Sequence, residues 1–335
     1  MPTPEYFLDV QRVSTVFESR RRSVVAVDDV SFGLPADKPT LLTIVGESGS
    51  GKTTLARNLL GLTRPTSGTI FYRGKDIQLM SGQEWLTYRR EVQPVFQDPY
   101  ATYNPFYRVD RVLKVPLKKF KLSDSKSRAD DLIDAALRAV DLRPGDVRGR
   151  YSHQLSGGER QRIMLARIYL IRPKLILADE PVSMIDASLR TLFLNILLDF
   201  RDQHGISCVH ITHNLATAYY LGGEIMIMCR GRIIERGNMD VVLADPKHPY
   251  TQLLVESVPS PDPANRWKRS DRGELSVETA ALRSDPHACV FVQRCPYAMA
   301  ICRERRPEMR HVSREQAVAC FLYDAGDVSS PSNNT

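Results

Sequence analysis

Short continuous apolar runs, punctuated by glycine and acidic pairs, set the rhythm of the chain. Leu41-Leu42-Thr43-Ile44-Val45 and Leu175-Ile176-Leu177-Ala178 have no polar alternation, which predicts strands covered on both faces. Residues 207–211 read the same way, and a helix is expected from near Ser188 to Phe200 between them. Residues 1–95 carry β-rich patterning, as in Val25-Ala26-Val27-Asp28-Asp29-Val30 and Thr69-Ile70-Phe71-Tyr72. From about 98 to 170 the period becomes helical, most plainly over residues 129–137. Ile225-Met226-Ile227-Met228 and Arg232-Ile233-Ile234-Glu235 predict an antiparallel pair turning at Gly231. The expected fold class is α/β, with a helical insertion.

The first apolar run ends in Gly46-Glu47-Ser48-Gly49-Ser50-Gly51-Lys52-Thr53, followed by Thr54 and a helix-like stretch to Leu60. Strand, glycine loop and helix are the setting in which this spacing means a phosphate-binding loop. Glycines let successive N–H groups turn inward as a nest, and the helix start adds its positive dipole end. Lys52 is expected to reach the β- and γ-oxygens of a nucleoside triphosphate and Thr53 to ligate Mg²⁺. The second run ends in Asp179-Glu180, a strand-end acid pair suited to holding Mg²⁺ (Asp179) and polarising an attacking water (Glu180).

Composition narrows the class more than the function. The chain has 335 residues, 42% hydrophobic and 25% charged, which reads as soluble and globular. No apolar stretch reaches the roughly eighteen residues of a membrane span. The first five residues lack the layout of a signal peptide, so a cytoplasmic protein, or one membrane-bound through partners, is expected. The net charge of +7 is spread over short clusters such as Arg20-Arg21-Arg22 and Lys118-Lys119, and no nucleic-acid recognition motif accompanies it.

Between the two phosphate motifs lies Leu155-Ser156-Gly157-Gly158-Glu159-Arg160-Gln161-Arg162, a second glycine-opened helix start able to face an anion. With it the chain resembles the ATP-binding cassette (ABC) proteins over roughly residues 5–245. The resemblance implies a P-loop NTPase cassette: a RecA-like core, an antiparallel β subdomain and an inserted helical subdomain. It also implies ATP and Mg²⁺ as ligands. In that family Ser156, Gly157, Gly158 and Glu159 of one subunit face the ATP held by the partner. Gln97 matches the glutamine loop, touching Mg²⁺ beside Thr53 and Asp179 and sensing the membrane partner. His213 matches the switch histidine and Glu180 the catalytic acid. Ser183-Met184-Ile185-Asp186 stands in the place of the D-loop with Asp186 kept, and Asn214 replaces a common Asp. Phe17 fits the aromatic that stacks on adenine, with Tyr6 and Phe7 as alternatives and core packing as the plain account of all three.

Two further stretches resemble the oligopeptide/dipeptide importer class. They are Asp98-Pro99-Tyr100-Ala101-Thr102-Tyr103-Asn104-Pro105 and His248-Pro249-Tyr250-Thr251 with a short helix and Pro259. The implied organisation is an ATPase domain over 1–258 (helical subdomain about 98–170) and a linker over 259–284. A four-cysteine extension over 285–323 and a polar tail over 324–335 complete it. Cys208 and Cys229 lie on apolar runs and read as core thiols. Cys289, Cys295, Cys302 and Cys320 suit an iron–sulfur cluster or Zn²⁺, with free or disulfide-linked thiols the remaining option and His287 a possible substitute ligand. Their spacing has no zinc-ribbon pair, and importer ATPases of this class resemble it in an extension where some members hold a 4Fe–4S cluster. The resemblance implies an ATPase at the cytoplasmic face of the inner membrane, driving import of peptides or similar small polar solutes by dimer closure. Its partners would be two integral permease subunits, a second ATPase or its own copy, and indirectly a solute-binding protein. An oligosaccharide or other solute, or a soluble non-transport ABC ATPase, are the alternatives. No nucleic-acid partner is expected.

Overall fold

The computed structural model describes residues 5–19, 22–97, 103–183, 185–258 and 287–324. The expected linker over 259–284, residues 98–102, Met184, Pro259 and the polar tail after Asp324 lie outside the described residues. The chain divides into two compact units, Met1–Thr43 with Thr53–Thr212, and Ile44–Lys52 with His213–Thr335.

In the first unit, β1 (Tyr6–Ser19) and β2 (Arg22–Pro35) are long antiparallel partners. Strand β3 (Leu41–Val45) and helix α1 (Lys52–Leu59) follow, each running across the division between the units. Strands β4 (Ser67–Tyr72) and β5 (Lys75–Asp76) complete an antiparallel sheet of order β2-β1-β4-β5. Leu8 and Val10 are buried on β1, then Val13 and Thr15, so the inward positions switch from even to odd. A register break between Val10 and Val13, with Arg12 at φ 51°, makes the switch. It requires Gly68 on the facing strand, because a Cβ there would sit 2.2 Å from the Arg12 carbonyl oxygen.

Helix α2 (Gly82–Glu91) leads into β6 (Val92–Val95), which pairs in parallel with β7 (Leu175–Asp179). Strand β7 pairs in parallel with β8 (Ser207–Thr212), and β8 neighbours β3. Every residue of β7 and β8 is buried, as the unbroken apolar runs require. The helical stretch between β6 and β7 holds α3 (Asp110–Lys119), α4 (Lys126–Ala139) and α5 (Gly157–Ile171). Helix α4 buries Ile133, Ala136 and Leu137, the i, i+3, i+4 stripe that its sequence predicts, and packs on α5. Arg148 pins its polar side, donating to Asp134 at 2.8 Å and also to Asp130. Helix α6 (Ala187–Asp202) precedes β8.

In the second unit, helix α7 (Leu215–Leu221) leads to the hairpin β9 (Glu224–Cys229) and β10 (Arg232–Asn238). Its turn uses Arg230 at φ 44° and Gly231 at φ 86°, two left-handed residues that match strand twist. Helices α8 (Met239–Ala244) and α9 (Pro249–Glu256) follow, then α10 (Ala300–Glu304), β11 (Arg310–His311) and β12 (Gln316–Val318). The strand order is β3-β9-β10-β12-β11, so the cysteine-bearing segment extends the sheet through β12 on β10. Sequence reading missed these strands because two or three residues are too few to show an alternation. One core unites Val45, Ile225, Ile227, Ile234, Tyr250, Phe291, Cys289, Cys302 and Phe321. Among the described residues, no helix is long and apolar enough to cross a membrane.

Glu235 organises the polar side of this unit. Its carboxylate is fully buried and accepts from the Lys247 N–H (2.8 Å), the His248 N–H (2.9 Å) and Gln316 Nε2 (2.7 Å). It ties β10 to the start of α9 and to β12. In Glu235→Gln an NH₂ must face one of these donors, leaving a buried group unsatisfied at a cost of about 2 kcal/mol. The expected outcome is a melting temperature lowered by several degrees in a thermal scan, against little change for a substitution at exposed Glu308.

Candidate functional site

The phosphate-type loop belongs to the second unit. Beyond β3 the chain passes Gly46 and turns through Gly49 (φ 79°) and Gly51 (φ 105°), conformations that L side chains rarely adopt. Gly46 is needed for a different reason: a Cβ there would lie 2.1 Å from the Met228 carbonyl oxygen on β9. The loop is closed by Ser50 N–H to Glu47 O (3.1 Å) and held to the β9–β10 turn by Gly231 N–H to Ser50 O (2.8 Å). Lys52 is buried, and its ammonium donates to Gly46 O (2.7 Å), Glu47 O (2.8 Å) and Ser50 Oγ (3.2 Å). It therefore sits within the loop at the start of α1, while Ser48, Gly49 and Thr53 are exposed and Thr54 half-buried.

Glu47 is fixed from the C-terminal side. Its N–H donates to the Tyr250 hydroxyl at 2.9 Å, and its carboxylate takes a two-pronged contact from Arg294 at 2.9 and 3.0 Å. His213 is exposed just after β8. Asn214 caps α7 through Oδ1, accepting from Ala216 N–H (2.9 Å) and Thr217 N–H (3.3 Å). Asn and Asp cap equally well, which explains how the replacement is tolerated locally.

The remaining expected residues belong to the first unit. Asp179 ends β7 almost fully buried. Glu180 follows half-buried at φ 49°, a left-handed conformation costly for a residue with a side chain. Its N–H donates to Ile211 O (2.9 Å) and its carbonyl accepts from the Ser183 hydroxyl (2.9 Å), so backbone bonds on both sides hold the bend. Asp186 caps α6, accepting from Leu189 N–H at 3.0 Å. Ser156 caps α5 in a reciprocal box: its hydroxyl accepts from Glu159 N–H (3.2 Å), and Glu159 accepts from Ser156 N–H (2.7 Å). That backbone contact holds the Glu159 carboxyl below the usual carboxylate range.

The two glycines behind Ser156 have different surroundings. A Cβ on Gly157 would meet open space, whereas one on Gly158 would come within 2.4 Å of Leu189 Cδ1. Gly158 thus lets α6 pack closely, and Gly157 keeps the helix start bare. Gln97 is exposed after β6. Phe17 is 49% exposed at the edge of β1. Its two alternatives are engaged in packing, Tyr6 over Gly33 and Phe7 edge-on to Tyr72 at 6.3 Å.

The pattern described as "ABC transporter" matches residues 27–183, and "Oligopeptide/dipeptide transporter, C-terminal region" matches residues 234–302. The oligopeptide transport ATP-binding protein AppF of Bacillus subtilis is 36% identical over 311 residues, 92% of this chain and 93% of AppF. The chain belongs to the ATP-binding proteins of ABC transporters, in the oligopeptide/dipeptide class. The relative y4tS of Sinorhizobium fredii, described as a probable peptide ABC transporter ATP-binding protein, is 38% identical over 91% of this chain and 85% of its own length. Among solved structures, the cassette MJ0796, determined as a dimer in a post-hydrolysis state with ADP and Pi, aligns with a TM-score of 0.62 and 22% identity over 69% of this chain and 98% of its own. CbiO1 of Clostridium perfringens aligns with a TM-score of 0.60 and 23% identity, over 72% of this chain and 92% of its own. These likenesses establish the ABC cassette fold.

The cysteine expectations divide. Cys208 and Cys229 are buried strand thiols, pushed up to about 12 by burial. Cys289, Cys295, Cys302 and Cys320 are all free thiols and line one small enclosed pocket with His248, Phe291 and Tyr297. Burial raises the Cys289, Cys295 and Cys320 thiols, and the neighbouring cysteines add to the rise. His287 is exposed and does not line this pocket. Among the described residues, no three His, Cys, Asp or Glu side chains are placed to hold a single metal ion, so the expected metal group is not found as such.

Sequence reading missed what fixes Glu47. Tyr250 and Arg294 lie 203 and 247 residues away in sequence. The signals were His248-Pro249-Tyr250-Thr251 and the cysteine spacing around Cys295, legible as marks of the importer class and silent about the loop. For the loop itself, Gly46→Ala forces β3 away from Met228. The expected result is ATP affinity weakened by about tenfold or more, since a backbone clash cannot be relieved by a rotamer change. Titration with a fluorescent ATP analogue checks this, and unchanged affinity would show that the strand end yields.

Proposed function

We propose that this chain is the ATP-hydrolysing subunit of an importer of peptides or similar small polar solutes. The observation that carries the reading is the phosphate-type loop, with left-handed Gly49 and Gly51 and a buried lysine at the head of α1, in a chain related to peptide-transport ATP-binding proteins along nearly its whole length. Loop amides from residues 46–54 and Lys52 bind the β- and γ-phosphates, and exposed Phe17 stacks on adenine. Thr53, Gln97 and Asp179 would hold Mg²⁺, which would supply neutralisation of the triphosphate charge. Glu180 accepts a proton from the attacking water, and His213 contacts the γ-phosphate. Phosphoryl transfer needs positioning and charge stabilisation above all, and these groups supply both.

Ser156, Gly157, Gly158 and Glu159 face the ATP of a second cassette, and Asp186 contributes from the D-loop. Closure then depends on the γ-phosphate, and hydrolysis releases it. Two permease subunits carry the motion to the solute, delivered by a binding protein, and the chain works at the cytoplasmic face of the inner membrane. The test is Glu180→Gln. It should lower ATPase turnover by about a hundredfold or more and accumulate an ATP-bound dimer on size-exclusion chromatography. Unchanged turnover would overturn the assignment of Glu180, and a monomer at saturating ATP would overturn the closure scheme.

Cys289, Cys295, Cys302 and Cys320 of the extension would be the ligands of a 4Fe–4S cluster. In such a cluster each thiolate takes a different iron, so four thiols around one pocket suit it although no three converge on one ion. Bound there, it would supply a structural cross-link for the extension. Anaerobically purified protein should contain iron and sulfide at about four each per chain with a broad visible absorption. One zinc per chain, or no metal, overturns this assignment and leaves the ATPase reading intact.

A further inference from the structure

We propose that Arg294 is a positioning residue for nucleotide binding: by gripping Glu47 it holds the phosphate-binding loop in its receptive shape and cancels a carboxylate beside the triphosphate. The proposal rests on the reading that this loop binds ATP. Glu47 is committed at all three of its polar ends. Its N–H goes to the Tyr250 hydroxyl (2.9 Å), its carboxylate to both Arg294 prongs (2.9 and 3.0 Å), and its carbonyl to the Lys52 ammonium (2.8 Å). A displacement of Glu47 therefore moves the carbonyl against which Lys52 is set.

Arg294 is itself held in place. Its guanidinium lies over the Phe291 ring at 5.6 Å from the centroid, and its N–H donates to Phe291 O at 3.0 Å. Phe291 packs on Tyr250 (5.4 Å) and His248 (5.9 Å), so the same ring braces both groups that fix Glu47. The Arg294 and Glu47 side chains are 26% and 43% exposed, and a single ion pair at that exposure does little for stability. Its leverage is local. An uncompensated carboxylate in a loop built for a triphosphate repels the ligand, and a planar two-pronged contact fixes direction as well as distance.

The test is a double-mutant cycle on the full chain, read as affinity for MgATP and as KM and kcat. Arg294→Gln is expected to weaken ATP binding about tenfold and raise KM in step, with kcat within about twofold. In a Glu47→Gln background the same change should cost less than about twofold, because the group it acts on is gone. Arg294→Lys keeps the charge and loses the two-pronged contact, so it should recover only part of the affinity, and its remaining loss carries the cycle if Arg294→Gln fails to fold. Equal losses in both backgrounds, or no loss in the first, would overturn the clamp. Lys52→Ala separates this failure from that of the underlying reading. If it abolishes binding while Arg294→Gln binds normally, only the clamp falls. If Lys52→Ala binds ATP like the parent protein, the loop is not the ATP site and both fall.

Discussion

The buried ammonium of Lys52 is the constraint around which the second unit is built. A lysine with little access to water needs polar partners, and those of this ammonium include Gly46 O, Glu47 O and Ser50 Oγ. Those contacts draw the carbonyls of the loop toward one point, so its remaining amides are left to turn toward an anion. The geometry tolerates no side chain at Gly46, where β9 presses against the strand end, and needs left-handed residues at Gly49 and Gly51. Glu47, whose carbonyl is one of the lysine's acceptors, is also held by Tyr250 and Arg294. The loop's shape is thus set by contacts within the chain, which would reduce the ordering cost of binding a phosphate.

The first unit meets a comparable demand by different means. Glu180, the acid proposed to act on the attacking water, lacks glycine's freedom at φ 49°. Its left-handed backbone is instead sustained by an N–H bond to β8 and by the Ser183 hydroxyl on its carbonyl. Strain at a side-chain-bearing residue, held by bonds on both sides, is what a fixed acid at a strand end needs. The reciprocal cap at Ser156 and Glu159 likewise settles the start of α5 internally, leaving Gly157 bare and Gly158 to accommodate Leu189.

What was legible in the sequence is what is local. The glycine loop, the acid pair that begins at the last residue of β7, the glycine-opened helix start after Ser156 and the buried strands each fit within a dozen residues, and each element appears where its spacing places it. The hairpin β9–β10 was visible from its two apolar runs and Gly231. The supports of the loop were not, because Tyr250 and Arg294 reach Glu47 only after more than 200 residues of intervening fold. Buried Glu235 was equally opaque, since a carboxylate in an apolar strand reads as an outward-facing residue until its three donors are seen. The pocket of four thiols falls between these cases: the residue type and count were readable, the convergence was not.

These long-range links also explain why the cysteine-bearing segment is more than an appendage. Without β12 the backbone of β10 would present an unpaired edge, a recognised hazard for association between chains. Gln316 of β12 supplies one of the donors to Glu235, which in turn holds the N–H groups of Lys247 and His248 at the start of α9. His248 caps that helix by accepting from the Tyr250 N–H at 3.0 Å, and burial keeps its imidazole neutral, with a pKa lowered to about 3. Tyr250 then meets Glu47. A continuous series of satisfied polar contacts therefore runs from β12 through Glu235 and His248 to the phosphate loop, and Arg294 closes it from the other side. Since a buried polar network is stabilising only when every member is satisfied, loss of the tail would unbalance the loop as well as the sheet edge.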